Sequence, residues 1–136
     1  MAATIDKYTK EIVTVGRRKR ATARVRIKPG TGQFVVNGQP LENYLQRETL
    51  VQVARQPLVA TNTMDRFDIR ARCDGGGLTG QAGALRLGGA RALVKENVNF
   101  QSILRSAGLL TRDAREVERK KYGRPGARKR FQFSKR

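Results

Sequence analysis

Residues 22–28, Thr22-Ala23-Arg24-Val25-Arg26-Ile27-Lys28, alternate strictly between small or apolar and cationic side chains. At the period of a half-buried strand, Ala23, Val25 and Ile27 share one face, and Arg24, Arg26 and Lys28 share the other. One face is core and the other is a row of cations. Residues 66–73 repeat the pattern, with Phe67, Ile69, Ala71 and Cys73 alternating with Arg66, Asp68, Arg70 and Arg72. Two such strands in one small sheet would carry mostly one sign of charge on their outer face. Solvated faces usually mix signs, because like charges across a ladder repel. A phosphate-binding surface built on Arg24, Arg26, Arg70 and Arg72 explains the pattern better.

Pro29-Gly30-Thr31-Gly32 has turn chemistry and residues 33–36 read as a returning strand, so a hairpin is expected over 22–36, ended by Asn37-Gly38. Residues 8–15 form an upstream strand pattern, interrupted at Gly16 and the four cations Arg17, Arg18, Lys19 and Arg20. Pro40 opens a short helix carrying Leu41, Tyr44 and Leu45. A second helix starts near Thr49, presents Leu50, Val53 and Ala54, and is expected to stop at Pro57.

The stretch Asp74-Gly75-Gly76-Gly77-Leu78-Thr79-Gly80-Gln81-Ala82-Gly83-Ala84 raises the question of a nucleotide site, since glycines before a helix let backbone N–H groups approach phosphate. A Walker-type loop, however, needs Lys and then Ser or Thr, where this chain has Gln81 after Gly80. A dinucleotide site needs an acidic residue ending a following strand, and none is evident. The stretch reads instead as a tight turn into a helix of small residues, including Ala82, Leu85, Gly89, Ala92 and Leu93. Gly88-Gly89 in mid-helix costs about 1 kcal/mol per glycine, so either something packs closely there or the helix bends. A further helix from about Phe100 carries Ile103, Leu104 and Ala107 on one face, with Gly108 as its cap. Asp113, Glu116 and Lys120 support a helix over 113–121; its apolar residues form no stripe, so it is expected to lie on something anionic.

The chain then becomes cationic. After Glu118 there is no acidic residue, while Arg119, Lys120, Lys121, Arg124, Arg128, Lys129, Arg130, Lys135 and Arg136 follow. The segment has too few apolar residues to offset the entropy of ordering, so a polyanion is expected to order it. The fourteen residues from Gly123 could span roughly 45 Å if extended. In 136 residues, an apolar fraction of 38% suffices for one modest core with an arm set aside. A net charge of +18 calls for phosphate or anionic lipid, and nucleic acid is preferred because the chain has neither an apolar span nor a lipid-facing amphipathic helix. The first fifteen residues lack the apolar segment of an export signal. The single cysteine, Cys73, argues for a reducing compartment and for a small core residue.

With no histidine, the usual general base and metal ligand at neutral pH is missing, and Asp65, Asp68 and Asp74 read as ion-pair partners of neighbouring arginines. An enzyme is therefore the weak hypothesis, with no cofactor and no metal site expected. A DNA-binding regulator needs a recognition helix and a dimer interface, and neither is found. The remaining reading is a structural RNA-binding protein of a large ribonucleoprotein.

Four stretches carry a resemblance: residues 16–25 (GRRKRATARV), 32–44 (GQFVVNGQPLENY), 75–93 (GGGLTGQAGALRLGGARAL) and 110–136 (LTRDAREVERKKYGRPGARKRFQFSKR). In order and spacing they resemble the signature stretches of the ninth protein family of the small ribosomal subunit, in its bacterial and plastid form, which ends Ser-Lys-Arg. The chain departs at Gly89, where that family generally has isoleucine or a similar residue. The resemblance implies an α+β fold, a small mixed sheet with helices on one side, like the second domain of small-subunit protein five, with a left-handed crossover. The implied plan is a globular RNA-binding domain over 1–110 and a basic helix and arm over 111–136. It also implies a place in the head of the small (30S) subunit, on the 3′ major domain of 16S ribosomal RNA beside neighbouring head proteins. Arg17, Arg18, Lys19 and Arg20 would contact that RNA, as would Arg119, Lys120, Lys121, Arg124, Arg128 and Lys129. Lys135 and Arg136, with Ser134 and Arg130 near, would approach the anticodon stem-loop of the peptidyl-site (P-site) transfer RNA. The implied protein is not a homo-oligomer and not membrane-bound; it is cytoplasmic, or stromal if plastid-encoded.

Overall fold

A computed structural model describes residues 4–5, 11–112 and 122. Its strands are β1 (Thr4–Ile5), β2 (Ile12–Arg18), β3 (Ala21–Pro29), β4 (Phe34–Val36), β5 (Gln39–Pro40) and β6 (Phe67–Asp74). Its helices are α1 (Leu41–Leu45), α2 (Glu48–Ala60), α3 (Leu78–Glu96) and α4 (Phe100–Ser106). The sheet order is β1-β2-β3-β6-β4-β5, and every neighbouring pair is antiparallel except β4 with β6, so the sheet is mixed. This is the α+β architecture expected from the sequence.

Period-two burial sets the two faces. Ala21, Ala23, Val25 and Ile27 of β3 and Phe67, Ile69, Ala71 and Cys73 of β6 are all buried, and they join residues of α2 and α3 in one core. Burying Val25, Ile27, Phe67 or Ile69 contributes about 1.5–3 kcal/mol each, so the alternation dictates which face the helices cover.

The pairing differs from the expected hairpin over 22–36. β3 pairs with β2 through the turn at Lys19 and Arg20, where Lys19 has φ 53°, and its other edge takes β6. The turn chemistry of residues 29–32 leads elsewhere: Asp68 Oδ1 accepts N–H bonds from Thr31, Gly32 and Gln33 at 2.9, 3.0 and 3.0 Å, passing the chain across β6 to become β4. β2 also continues through Gly16 to Arg18 where an interruption was expected. Asn37 and Gly38, at φ 51° and 80°, make a two-residue turn joining β4 to β5, as Asn-Gly favours.

Helix α2 runs past Pro57 to Ala60. Pro57 lies in the last turn, where the missing N–H costs a single bond, and its ring is fully buried. Helix α4 ends in a Schellman motif: Gly108 has φ 73°, its N–H bonds the Arg105 carbonyl at 3.0 Å, and the Leu109 N–H bonds the Leu104 carbonyl at 3.0 Å. Leu104 and Leu109 are both buried, whereas Ile103 and Ala107 are exposed, so the apolar face of α4 is narrower than expected.

Close packing accounts for one member of the mid-helix glycine pair. An added Cβ on Gly88 would lie 2.7 Å from Val25 Cγ2 and 3.2 Å from Gly16 N, so α3 sits almost in contact with the β2 backbone. A Cβ on Gly89 would meet nothing within 4 Å among the described residues. Gly89→Ala is therefore expected to stabilise the protein by about 0.5–1 kcal/mol, through helix propensity and a less flexible unfolded chain. Urea unfolding of the full chain measures this; a loss of stability would mean the space is not open.

Candidate nucleic-acid interface

The register of β2, β3 and β6 assembles the cations. Arg24 stands directly opposite Arg72, and Arg26 opposite Arg70. Directly opposed residues project to the same face, so all four arginines lie on the side away from the core, and Arg17, opposite Thr22, joins them from β2. Arg17, Arg24, Arg70 and Arg72 are exposed and Arg26 is half-buried. Together with Asn37 and Gly38, four of them line a depression of about 430 Å³.

One carboxylate holds half of this cluster together. Glu11 is 5% exposed and accepts a hydrogen bond from Arg70 at 2.9 Å, with the Arg26 guanidinium 3.8 Å from the same oxygen. Two arginines sharing a buried carboxylate are stiffened against rotation and aimed together. Arg24 and Arg72 have no ion-pair or hydrogen-bond partner among the described residues. They face each other at cross-strand distance, where like charges are destabilising without an intervening anion.

The other expected contacts are distributed differently. Arg18 turns to the helix side, where its Cδ would lie 2.3 Å from a Cβ on Gly83. Lys19 and Arg20 are exposed at the β2–β3 turn. Arg119, Lys120, Lys121, Arg124, Arg128, Lys129, Arg130, Ser134, Lys135 and Arg136 lie outside the described residues, as does the helix expected over 113–121.

The glycine stretch is a structural turn. Gly75 and Gly76 have φ 73° and 61°, and a Cβ on Gly75 would lie 2.6 Å from the Arg20 carbonyl oxygen, so the loop packs on the β2–β3 turn. Gln81, where a P-loop would carry lysine, is buried; its Nε2 donates to the Gly75 carbonyl at 3.1 Å and its Oε1 accepts from the Tyr44 hydroxyl at 2.6 Å. Burial raises the Tyr44 phenol above its ordinary value, keeping that donor protonated.

Neither Asp68 nor Cys73 does site chemistry. The N–H of Gln33 first, then those of Thr31 and Gly32 and the charge of Lys28, hold the Asp68 carboxyl below its ordinary value against an opposing desolvation effect. Asp68 is thus a loop organiser rather than an arginine partner. Burial pushes the Cys73 thiol up to about 12, leaving it protonated and unreactive. Among the described residues no cluster of His, Cys, Asp or Glu could hold a metal ion, and no helix is long and apolar enough to cross a membrane.

The family model described as ribosomal protein S9/S16 matches residues 16–136. The small ribosomal subunit protein uS9 of Gemmatimonas aurantiaca is 57% identical over 128 residues, covering 94% of this chain and 99% of that protein. Those of Anaeromyxobacter sp. strain K and Maridesulfovibrio salexigens are each 56% identical, over 124 and 121 residues, covering 91% and 89% of this chain and 95% and 93% of those proteins.

Proposed function

This chain belongs to the ribosomal protein S9/S16 family, whose members are structural ribosomal components and not enzymes, and on that premise we propose that it is a constituent of the small ribosomal subunit that seats its arginine face on ribosomal RNA. The observation that carries the RNA contact is Arg24 and Arg72, without a side-chain partner among the described residues, facing each other beside the Glu11-bound pair. A phosphate inserted between two such guanidiniums replaces repulsion with charge-assisted, bidentate hydrogen bonds.

The family resemblance supports the finer address on the 3′ major domain of 16S ribosomal RNA, among neighbouring head proteins. It also supports a path for the cationic C-terminal segment toward the P-site transfer RNA. In this reading Arg119, Lys120, Lys121, Arg124, Arg128 and Lys129 meet ribosomal RNA, and Arg130, Ser134, Lys135 and Arg136 approach the anticodon stem-loop.

Binding of the full chain to a 16S 3′-major-domain transcript, followed across salt concentrations, tests the sheet contact. Arg24→Gln with Arg72→Gln should lower the log–log salt slope by about 1–2, since each phosphate contact contributes about 0.7–0.9. An unchanged slope would show that the face is merely solvated.

Deleting Ser134, Lys135 and Arg136 should leave subunit assembly intact while peptidyl-site transfer RNA dissociates faster. Each lost cation contributes about 1–3 kcal/mol at most, and the ribosome retains its other contacts. Equal dissociation rates from ribosomes carrying full-length and truncated protein would remove the role of the tip.

A further inference from the structure

A second groove, of about 670 Å³, runs along Val13, Thr14 and Val15 of β2 where α3 and the chain around α4 pass beside it. Its apolar surface comes from Val15, Val94 and Leu110, and its cations include Arg91, Lys95 and Arg105. Among the described residues the lining contains no carboxylate. Val15 is 37% exposed although it sits in a strand. The Arg91 guanidinium donates to the Val15 carbonyl at 2.7 Å, which fixes one cation over the strand edge and occupies the backbone acceptor there. Arg24 lines this groove as well as the arginine depression, so the two surfaces are continuous around β2.

We infer that this groove receives a single extruded nucleotide of the bound RNA, its base on the aliphatic surface and its flanking phosphates on Lys95, Arg105 and Arg91. The inference rests on the RNA-binding reading above and deepens it. A nucleobase has an apolar face that is hidden while it is stacked in a helix and available when it is unstacked. The arginine depression, which offers guanidiniums and no apolar surface beyond Ala71, suits backbone phosphates alone. A cation-rimmed aliphatic groove adds what only an unstacked base can use. Continuity through Arg24 with the arginine depression, where the RNA backbone is seated, favours RNA over an acidic peptide.

The experiment uses the full chain and two RNA hairpins that differ by one bulged uridine. The bulged hairpin should bind roughly fivefold or more tightly. Val15→Asn, and separately Leu110→Asn, should erase that advantage while leaving affinity for the unbulged hairpin unchanged, with thermal melting confirming that each variant is folded. With 4-thiouridine at the bulge, irradiation should attach the RNA to peptides containing residues 13–15, 91–95 or 105–111. Equal affinity for the two hairpins, or attachment confined to residues 24–26 and 70–72, would overturn the inference. So would attachment that appears only after residues 113–136 are deleted, since the chain's own continuation would then be the occupant. Preferential binding of an alternating Leu-Glu decapeptide in the groove would likewise overturn it in favour of a protein partner. If Arg72→Gln weakens both hairpins while the bulge confers nothing, the sheet-face reading stands and only this inference fails.

Discussion

Gly16→Ala should destabilise the protein by about 3 kcal/mol, the upper range for forcing an extra carbon into a packed interior. A Cβ at position 16 would lie 2.0 Å from the Ala84 carbonyl oxygen and 2.4 Å from the Gly88 nitrogen. Both are backbone atoms, so no rotamer change relieves the clash, and α3 must move away from β2 as a unit. That movement would stretch the bond from Thr14 Oγ1 to the Gly88 carbonyl, 2.8 Å long and buried. Gly88→Ala should cost less, because its nearest obstacle is a Val25 side-chain methyl. Denaturant unfolding of the two full-length variants measures the difference; a Gly16→Ala protein within about 0.5 kcal/mol of the parent would contradict so close an approach.

Asn37→Ala should cost about 2 kcal/mol, although the residue is exposed in a turn. Its Oδ1 accepts from the Cys73 N–H at 2.9 Å and its Nδ2 donates to the Cys73 carbonyl and the Tyr44 hydroxyl, both at 3.1 Å. Its backbone N–H bonds the Ala71 carbonyl at 3.0 Å, so the side chain continues the β4–β6 ladder for one more step in place of main chain. Alanine removes those bonds and also makes φ 51° unfavourable. Asn37→Gly keeps the backbone conformation and loses only the side chain, so its deficit should be smaller. Unfolding free energies, with amide exchange at Cys73, separate the two contributions. Parental exchange at Cys73 in the alanine variant would mean that amide has another partner.

These two positions show what a linear reading reaches. The alternation at residues 22–28 and 66–73 exposed both faces of the sheet, because burial on one side of a strand imposes a period of two. Which strands pair was not legible: the turn residues after Pro29 looked like a hairpin, but their N–H groups close on Asp68, a partner 35 to 37 residues away. Gly16 looked like an interruption because its reason, the backbone of α3, is supplied from far along the chain. In the candidate interface, Arg24, Arg26, Arg70 and Arg72 were identifiable from sign and spacing. Glu11 was not, since nothing local distinguishes a carboxylate about to be buried between two arginines from a solvated one. Arg91, Lys95 and Arg105 sit on helices whose cations read locally as ordinary surface, and only packing brings them to the edge of β2.

The insertion of β6 between β3 and β4 has a kinetic consequence. Until residues 67–74 are available β3 has only β2 beside it and β4 only β5, so a growing chain can form the β2–β3 ribbon but cannot join it to the rest of the sheet. Loop-closure entropy must be paid before the central ladders form, which places this domain among the slower, non-local folders despite its modest size. Until β6 arrives, the row of arginines on β3 lacks its facing row, Arg70 and Arg72, the first of which is the nearer of the two guanidiniums to Glu11. The full cationic face is therefore a late product of folding.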